Sequence, residues 1–383
     1  MSQATRAPHA LTGIAPGPWF QLLVQAGAIE PDRLLDIAKI SLRSLQAVPL
    51  ALRETRLIAT QLCEHRVDPR PLFIVGHFRS GTTMLHDLLA NDPTFVYPTT
   101  FQAFFPRVFL TAKELLKPAF ERSLPPHRYG DHVPLAVDGP HEDEFALGQL
   151  SPLGFYHALY FPKRARELFA RSVFLDTESD RALWQKLNTR FLTKVSLEGA
   201  GRPLLLKNPA HSGRIPLLLE QFPKARFIHI HRNPFAVYRS TLRFFRRFVD
   251  TYAFQRISEA ELTELVLHVY ERLMTRLFDD LARIPNGQLA HVCYEQLVAD
   301  PSTCVERTYH ALGLDLTEAL RDATVKAARA QGTFKTNTHV LDAGSRQVVR
   351  ERWGFALERL GYDSEAPHSS GPFAARNDAS GQS

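Results

Sequence analysis

The sequence of 383 residues contains only three cysteines, Cys63, Cys293 and Cys304, and none of them forms a Cys-x-x-Cys pair. An odd number cannot be fully consumed in intramolecular disulfides, so a disulfide scaffold is excluded and a reducing compartment is favoured. A zinc site built from paired cysteines has no ligands, and no metal is expected. The chain also lacks any run of about 18 or more apolar residues, which excludes a spanning helix. Its N-terminus lacks the basic-then-apolar pattern of a secretion signal, so a cytoplasmic location is expected. A strong charge bias is missing too. Forty-six Lys and Arg against 40 Asp and Glu leave +6, which suits an anionic ligand but is too mild to argue for nucleic acid.

With 44% hydrophobic and 22% charged residues the chain matches a folded soluble protein and can afford a sizeable core. One globular unit with a helical preface is expected. Residues 1–18 hold several Pro and Gly and read as a loose arm leading into helices near 19–28 and 31–48. The segment Ile37–Leu52 mixes Leu, Ile and Ala with Lys39 and Arg43, and Arg53 follows it. Contact with a membrane surface is open, but packing on its own domain is expected. Ser364–Ser383 is rich in Ser, Gly, Ala and Pro and is predicted to be a disordered tail.

Between these ends short apolar runs alternate with helical patterns, the signature of an α/β fold with a central parallel sheet covered on both faces. Strands are predicted at Leu72–Val75, Pro203–Leu206, Arg226–Ile230 and Gln288–Cys293. Helices follow at about Thr82–Ala90, Arg214–Gln221, Phe235–Phe248 and Ser302–Leu312. A long helix running to Leu281 is announced by Ser258 and Glu261 as a capping box, with Ile257 and Leu262 as a staple. The stretch from about Val96 to Thr193 shows no regular βα repeat; rich in aromatics, Pro and His, it reads as irregular in pattern and is expected to be a helical insertion between strands. The expected organisation is residues 1–70 as an arm and helices packed on the core, 71–363 as the α/β domain with its insertion at about 96–193, and 364–383 as the tail.

The first chemical motif is Leu72-Phe-Ile-Val75 running into Gly76-His-Phe-Arg-Ser-Gly-Thr-Thr83. A buried strand entering a Gly-bounded loop and then a helix start gathers backbone N–H groups and the positive end of the helix dipole around one anion. The hydroxyls of Ser80, Thr82 and Thr83 add donors, and Gly81 permits close approach. The spacing of Gly76 and Gly81 fits the phosphate loop of nucleotidases, but Thr82-Thr83 replaces the Lys-Ser/Thr that should follow. In compensation a cation, Arg79, lies inside the loop.

The run Arg79-Ser80-Gly81-Thr82-Thr83 resembles the 5′-phosphosulfate loop of the sulfotransferase superfamily, in the Arg form of its bacterial and tyrosylprotein branches. The resemblance implies a P-loop-NTPase-like three-layer fold and 3′-phosphoadenosine 5′-phosphosulfate (PAPS) as sulfo donor, with Arg79 contacting the phosphosulfate. A second segment, Phe227-Ile-His-Ile-His-Arg232-Asn-Pro234, ends a strand in an Arg, with Ser240 on the helix after it. An Arg at the carboxyl edge offers a fork of donors suited to phosphate oxygens. The segment is similar to the superfamily's 3′-phosphate element, which implies that role for Arg232 and Ser240. The basic run Arg239, Arg243, Arg246 and Arg247 also reads as a solvated face. Downstream, His291-Val-Cys-Tyr294-Glu-Gln-Leu-Val-Ala-Asp-Pro301 resembles the strand and turn whose Tyr contacts adenine in relatives, which implies an adenine contact for Tyr294.

A third segment, Pro203-Leu-Leu-Leu-Lys207-Asn-Pro-Ala-His211, places Lys207 at a strand end on the same edge, where relatives also carry a Lys. Sulfo transfer builds charge on the sulfuryl oxygens and on the departing 5′-phosphate oxygen. Arg79 and Lys207 are the expected catalytic cations there. The acceptor must also lose a proton. Candidates are His141 and Glu142 in Pro140-His-Glu-Asp-Glu144, a run that reads equally as a helix N-terminus, and His211. The aromatics Phe101, Phe104, Phe105, Phe155, Tyr156, Tyr160 and Phe161 suit either an apolar acceptor pocket or a core. Lys335, in a polar loop, matches only by position the basic segment that closes over the 3′-phosphate in relatives. The expected function is transfer of a sulfo group from PAPS to a hydroxyl or amine of an unidentified acceptor. A nucleotide or sugar kinase and a non-catalytic adenosine 3′,5′-bisphosphate-binding protein are the alternatives.

Overall fold

The computed structural model describes residues 9–126, 135–331 and 341–363. Lys335, the first eight residues of the arm and the tail from Ser364 lie outside the described residues. The chain divides into two compact units, Met1–Asp68 with Val96–Arg202 and Phe244–Glu261, and Pro69–Phe95 with Pro203–Arg243 and Leu262–Ser383. The N-terminal helices fall in the same unit as the insertion.

The second unit carries the sheet. Its strands are β1 (Leu72–Val75), β2 (Leu205–Lys207), β3 (Arg226–His231) and β4 (Leu289–Cys293), all parallel in the order β2-β1-β3-β4. The apolar runs behave as strands buried on both faces should: every residue of β1 and β2 is buried. Phe73 stacks on Phe227 of the neighbouring strand with ring centroids 5.3 Å apart, a cross-strand pair that locks register. Helices Thr82–Leu89, Ile215–Gln221, Pro234–Tyr252 and Pro301–Ala311 fall within a few residues of their predicted positions.

The long helix is Glu259–Leu281. Its box is made reciprocally: Ser258 N–H donates to Glu261 Oε2 at 2.7 Å and Glu261 N–H to Ser258 Oγ at 3.2 Å.

The first unit is helical. Helices Pro16–Ala26, Leu34–Gln46 and Val48–Leu57 join the set that makes the insertion helical, as expected, among them Asp143–Leu150, Ala165–Phe174 and the 21-residue Glu178–Glu198. The long member escapes a hydrophobic-period reading because its buried side includes Asp180, Asn188, Thr193, Lys194 and Ser196 beside Trp184 and Phe191. Lys194 forms a buried ion pair with Glu54, whose Oε2 also accepts the Thr111 N–H at 2.9 Å, and its ammonium donates to Pro106 O at 2.6 Å. Burial pushes the Lys194 amine down to about 8, against the pull of Glu54.

Candidate active site

β1 delivers the chain to the loop at the centre of the sheet, between β2 and β3. Gly76 has φ +148, and a Cβ there would lie 2.2 Å from the Ile230 carbonyl oxygen. Only glycine lets the loop leave so close to β3. The start of the loop is tied by Ser212, which accepts the Gly76 N–H at 2.8 Å and donates to Gly76 O at 3.1 Å. His77 is buried, shares a hydrogen bond with Phe78 O at 2.7 Å, and lies 4.7 Å from the Tyr270 ring. Burial drives its imidazole down to about 3, so it is neutral at physiological pH.

Arg79 takes φ +68, the left-handed region that costs a non-glycine residue about 1–2 kcal/mol. Its guanidinium explains the conformation, because Nε donates to Ser240 Oγ at 3.0 Å, and Arg232 Nη1 donates to the Arg79 carbonyl at 3.4 Å. The loop Arg and the two residues of the second motif, far apart in the chain, therefore meet.

Helix Thr82–Leu89 starts at Gly81 (φ +94), which carries no side chain to cap it. Ser80 and Thr82 are buried and Thr83 half-buried. The lysine missing from the loop arrives from β2: register places Lys207 beside Ile74, and its Nζ donates to Thr83 Oγ1 at 3.4 Å. Lys207 is 1% exposed. Three cations thus gather about one helix start, the arrangement that binds an anion.

Tyr294 opens the short helix after β4, with its ring against Gly81 and the Arg232 guanidinium 4.3 Å from its centroid. Next to it, Glu295 accepts the Asn233 N–H at 3.1 Å, the Tyr362 hydroxyl at 2.7 Å and the Cys293 thiol at 3.2 Å. Sequence reading missed this carboxylate and Ser212, since neither belongs to a recognisable spacing; each is identified only by what it ties together.

The expected bases fare differently. His211 is fully buried, its Nδ1 3.4 Å from Arg214 Nη1 and its ring edge-on to Phe73, which is a core position. His141 and Glu142 lie in the first unit and are buried. Helix Asp143–Leu150 begins directly after them with acids in its first turn, so the helix-start reading of this run describes the backbone. Glu142 Oε2 accepts the Tyr156 hydroxyl at 2.7 Å, and Glu144 Oε1 accepts the Phe155 N–H at 2.6 Å. Of the seven aromatics, Phe101, Phe155, Tyr156, Tyr160 and Phe161 are core, while Phe104 and Phe105 are half-buried.

Among the described residues no group of three or more His, Cys, Asp or Glu side chains is placed to hold a metal ion, and no helix is long and apolar enough to cross a membrane.

Comparison with known proteins agrees with this geometry. Residues 71–318 match the model of the Sulfotransferase family. The omega-hydroxy-beta-dihydromenaquinone-9 sulfotransferases of Mycobacterium bovis and Mycobacterium tuberculosis are each 30% identical over 354 residues, covering 91% of this chain and 90% of theirs. In crystal structures, the sulfotransferase STF9 of Mycobacterium avium superposes with a TM-score of 0.68 at 20% identity over 93% of this chain and 98% of its own. STF1 of Mycobacterium tuberculosis gives 0.67 at 20% over 89% and 92%. At that identity the two structures speak for the fold.

Proposed function

Since the chain belongs to the sulfotransferase family and is a sulfotransferase, we propose that its sulfo donor is 3′-phosphoadenosine 5′-phosphosulfate, bound across the loop Gly76–Gly81 and the end of β3. The observation that carries this reading is the meeting of Arg79, Arg232 and Ser240, joined by contacts of 3.0 and 3.4 Å. A donor with two separated phosphate groups calls for two cationic positions linked in one rigid frame. A nucleoside triphosphate carries no 3′-phosphate and would leave the second of these positions without a phosphate to hold.

The donor supplies an activated sulfo group whose bond to the 5′-phosphate oxygen breaks as the acceptor oxygen bonds to sulfur. Lys207 and Arg79 neutralise the charge that builds on the departing oxygen and on the sulfuryl oxygens. The burial of Lys207 strengthens that effect, because water does not screen it. Arg232 and Ser240 hold the 3′-phosphate, and Tyr294 offers its ring to the base. For the acceptor, the reading is a hydroxyl on a largely apolar molecule. The curated relatives act on a hydroxylated menaquinone by name.

A ligand that binds only the native state raises its stability with affinity and concentration. Adenosine 3′,5′-bisphosphate without magnesium should therefore raise the melting temperature more than Mg-ATP does; the reverse order would refute the donor assignment. Labelled-sulfate transfer to long-chain alcohols, and not to sugars, tests the acceptor class.

A further inference from the structure

The N-terminal helices leave uncovered an apolar face that donor binding does not use. Helix Leu34–Gln46 is seated by one side: Ile40 and Ser44 are buried, Ser44 Oγ donates to Ile14 O at 2.6 Å, and Ser41 Oγ accepts the Trp19 indole N–H at 2.8 Å. At about 100° per residue, Leu34, Leu45, Ala38, Leu42 and Leu35 follow one another across the opposite side, an arc about 100° wide. The four leucines are 57%, 51%, 57% and 64% exposed in that order. The exposed Lys39 and Arg43 continue the arc on one flank.

The neighbouring helices extend the same character. Pro16–Ala26 exposes Phe20 and Val24, and Val48–Leu57 exposes Leu52 and Leu57 with Arg53 and Arg56 beside them. The acids of this stretch are otherwise engaged, Asp36 3.9 Å from Arg33, Glu30 and Asp32 3.8 and 3.2 Å from Arg256, and Glu54 in its buried pair with Lys194.

An exposed leucine stripe with a basic border is the pattern of a helix that lies in a bilayer interface. We propose that this face docks on an anionic lipid surface, the leucines entering the boundary between headgroups and acyl chains and Lys39, Arg43, Arg53 and Arg56 meeting the headgroups. A second copy suits the face less well, because a two-fold contact would bring the same basic border against itself. The inference does not depend on the acceptor or the donor.

Flotation of the full chain with vesicles tests it. The protein should float with mixed phosphatidylglycerol and phosphatidylcholine vesicles at low salt, and far less with pure phosphatidylcholine or at high salt. Leu35→Ser with Leu42→Ser should cut the bound-to-free ratio about tenfold or more, and Lys39→Glu with Arg43→Glu should remove the preference for phosphatidylglycerol. Both variants should keep the wild-type melting temperature and bisphosphate affinity. Failure of the wild type to float at low salt overturns the proposal, as does flotation unchanged in the leucine variant. A wild-type dimer that the leucine variant turns into a monomer would assign the face to a second copy instead.

Discussion

Gly81→Ala probes a crowded joint of the proposed donor site. The substituted Cβ would lie 2.2 Å from Tyr294 Cδ2 and 2.8 Å from Cε2, against an ordinary carbon contact of about 3.5 Å. The ring must retreat by roughly 1.3 Å to restore that contact, and retreat disturbs its stacking with the Arg232 guanidinium at 4.3 Å. Overpacking of this kind costs about 1–3 kcal/mol. The backbone adds a separate cost, because φ +94 at residue 81 puts alanine in left-handed conformation, about 1–2 kcal/mol. The two parts separate in a Tyr294→Ala background, where the clash is gone and the backbone cost remains.

Urea unfolding of the wild type, both single variants and the double variant closes the cycle. Gly81→Ala should cost about 2–5 kcal/mol alone and about 1–2 kcal/mol beside Tyr294→Ala. It should also weaken adenosine 3′,5′-bisphosphate binding. Equal costs in the two backgrounds would show that the ring does not rest on Gly81.

Lys207→Ala should lower the rate of sulfo transfer by about 10²–10³-fold, the loss typical of one oxyanion donor, while bisphosphate affinity measured by calorimetry stays nearly intact. Unchanged turnover would remove Lys207 from the chemistry. Lys194→Met should destabilise the chain by about 3–5 kcal/mol by leaving Glu54 buried and unpaired, and adding Glu54→Gln should recover part of that loss in urea unfolding. No recovery would mean that the pair is not the source of the cost. Acid should destabilise the chain before most carboxylates titrate. Burial holds His77 at about 3, His157 at about 4 and His229 well below its ordinary value. The unfolded chain therefore takes up protons below about pH 6.5 that the folded chain refuses, and stability falls from there towards pH 4 by up to about 1.4 kcal/mol per pH unit for each histidine. A urea midpoint flat between pH 7 and pH 5 would contradict those burials.

Much of the second unit was legible because strand and loop signals are local. The apolar run Leu72–Val75 is long enough to declare a buried strand, and Gly76, Arg79 and Gly81 declare the turn by residue type. Over Val96–Thr193 the same reading gave a helical insertion but placed none of its individual helices. Helices there are short or, in Glu178–Glu198, bury polar residues, so no hydrophobic period survives to be read. Thr99-Thr100-Phe101-Gln102 did carry a helix-start signal. Thr99 and Gln102 form a capping box in the structure.

By itself the sequence determined the identity and order of the groups proposed to hold the donor, a glycine-bounded loop with an internal Arg, a strand-end Lys, and an Arg followed by a helix Ser. Those are properties of short segments, set by local backbone preference and residue chemistry. Only the tertiary structure decided that Arg79 turns to Ser240, that Lys207 stands in for the missing loop lysine at Thr83, that His211 is core, and that the leucines of Leu34–Gln46 face outward. Each of these depends on which strand lies beside which and which side of a helix finds a partner, and such choices are made by packing between segments distant in the chain.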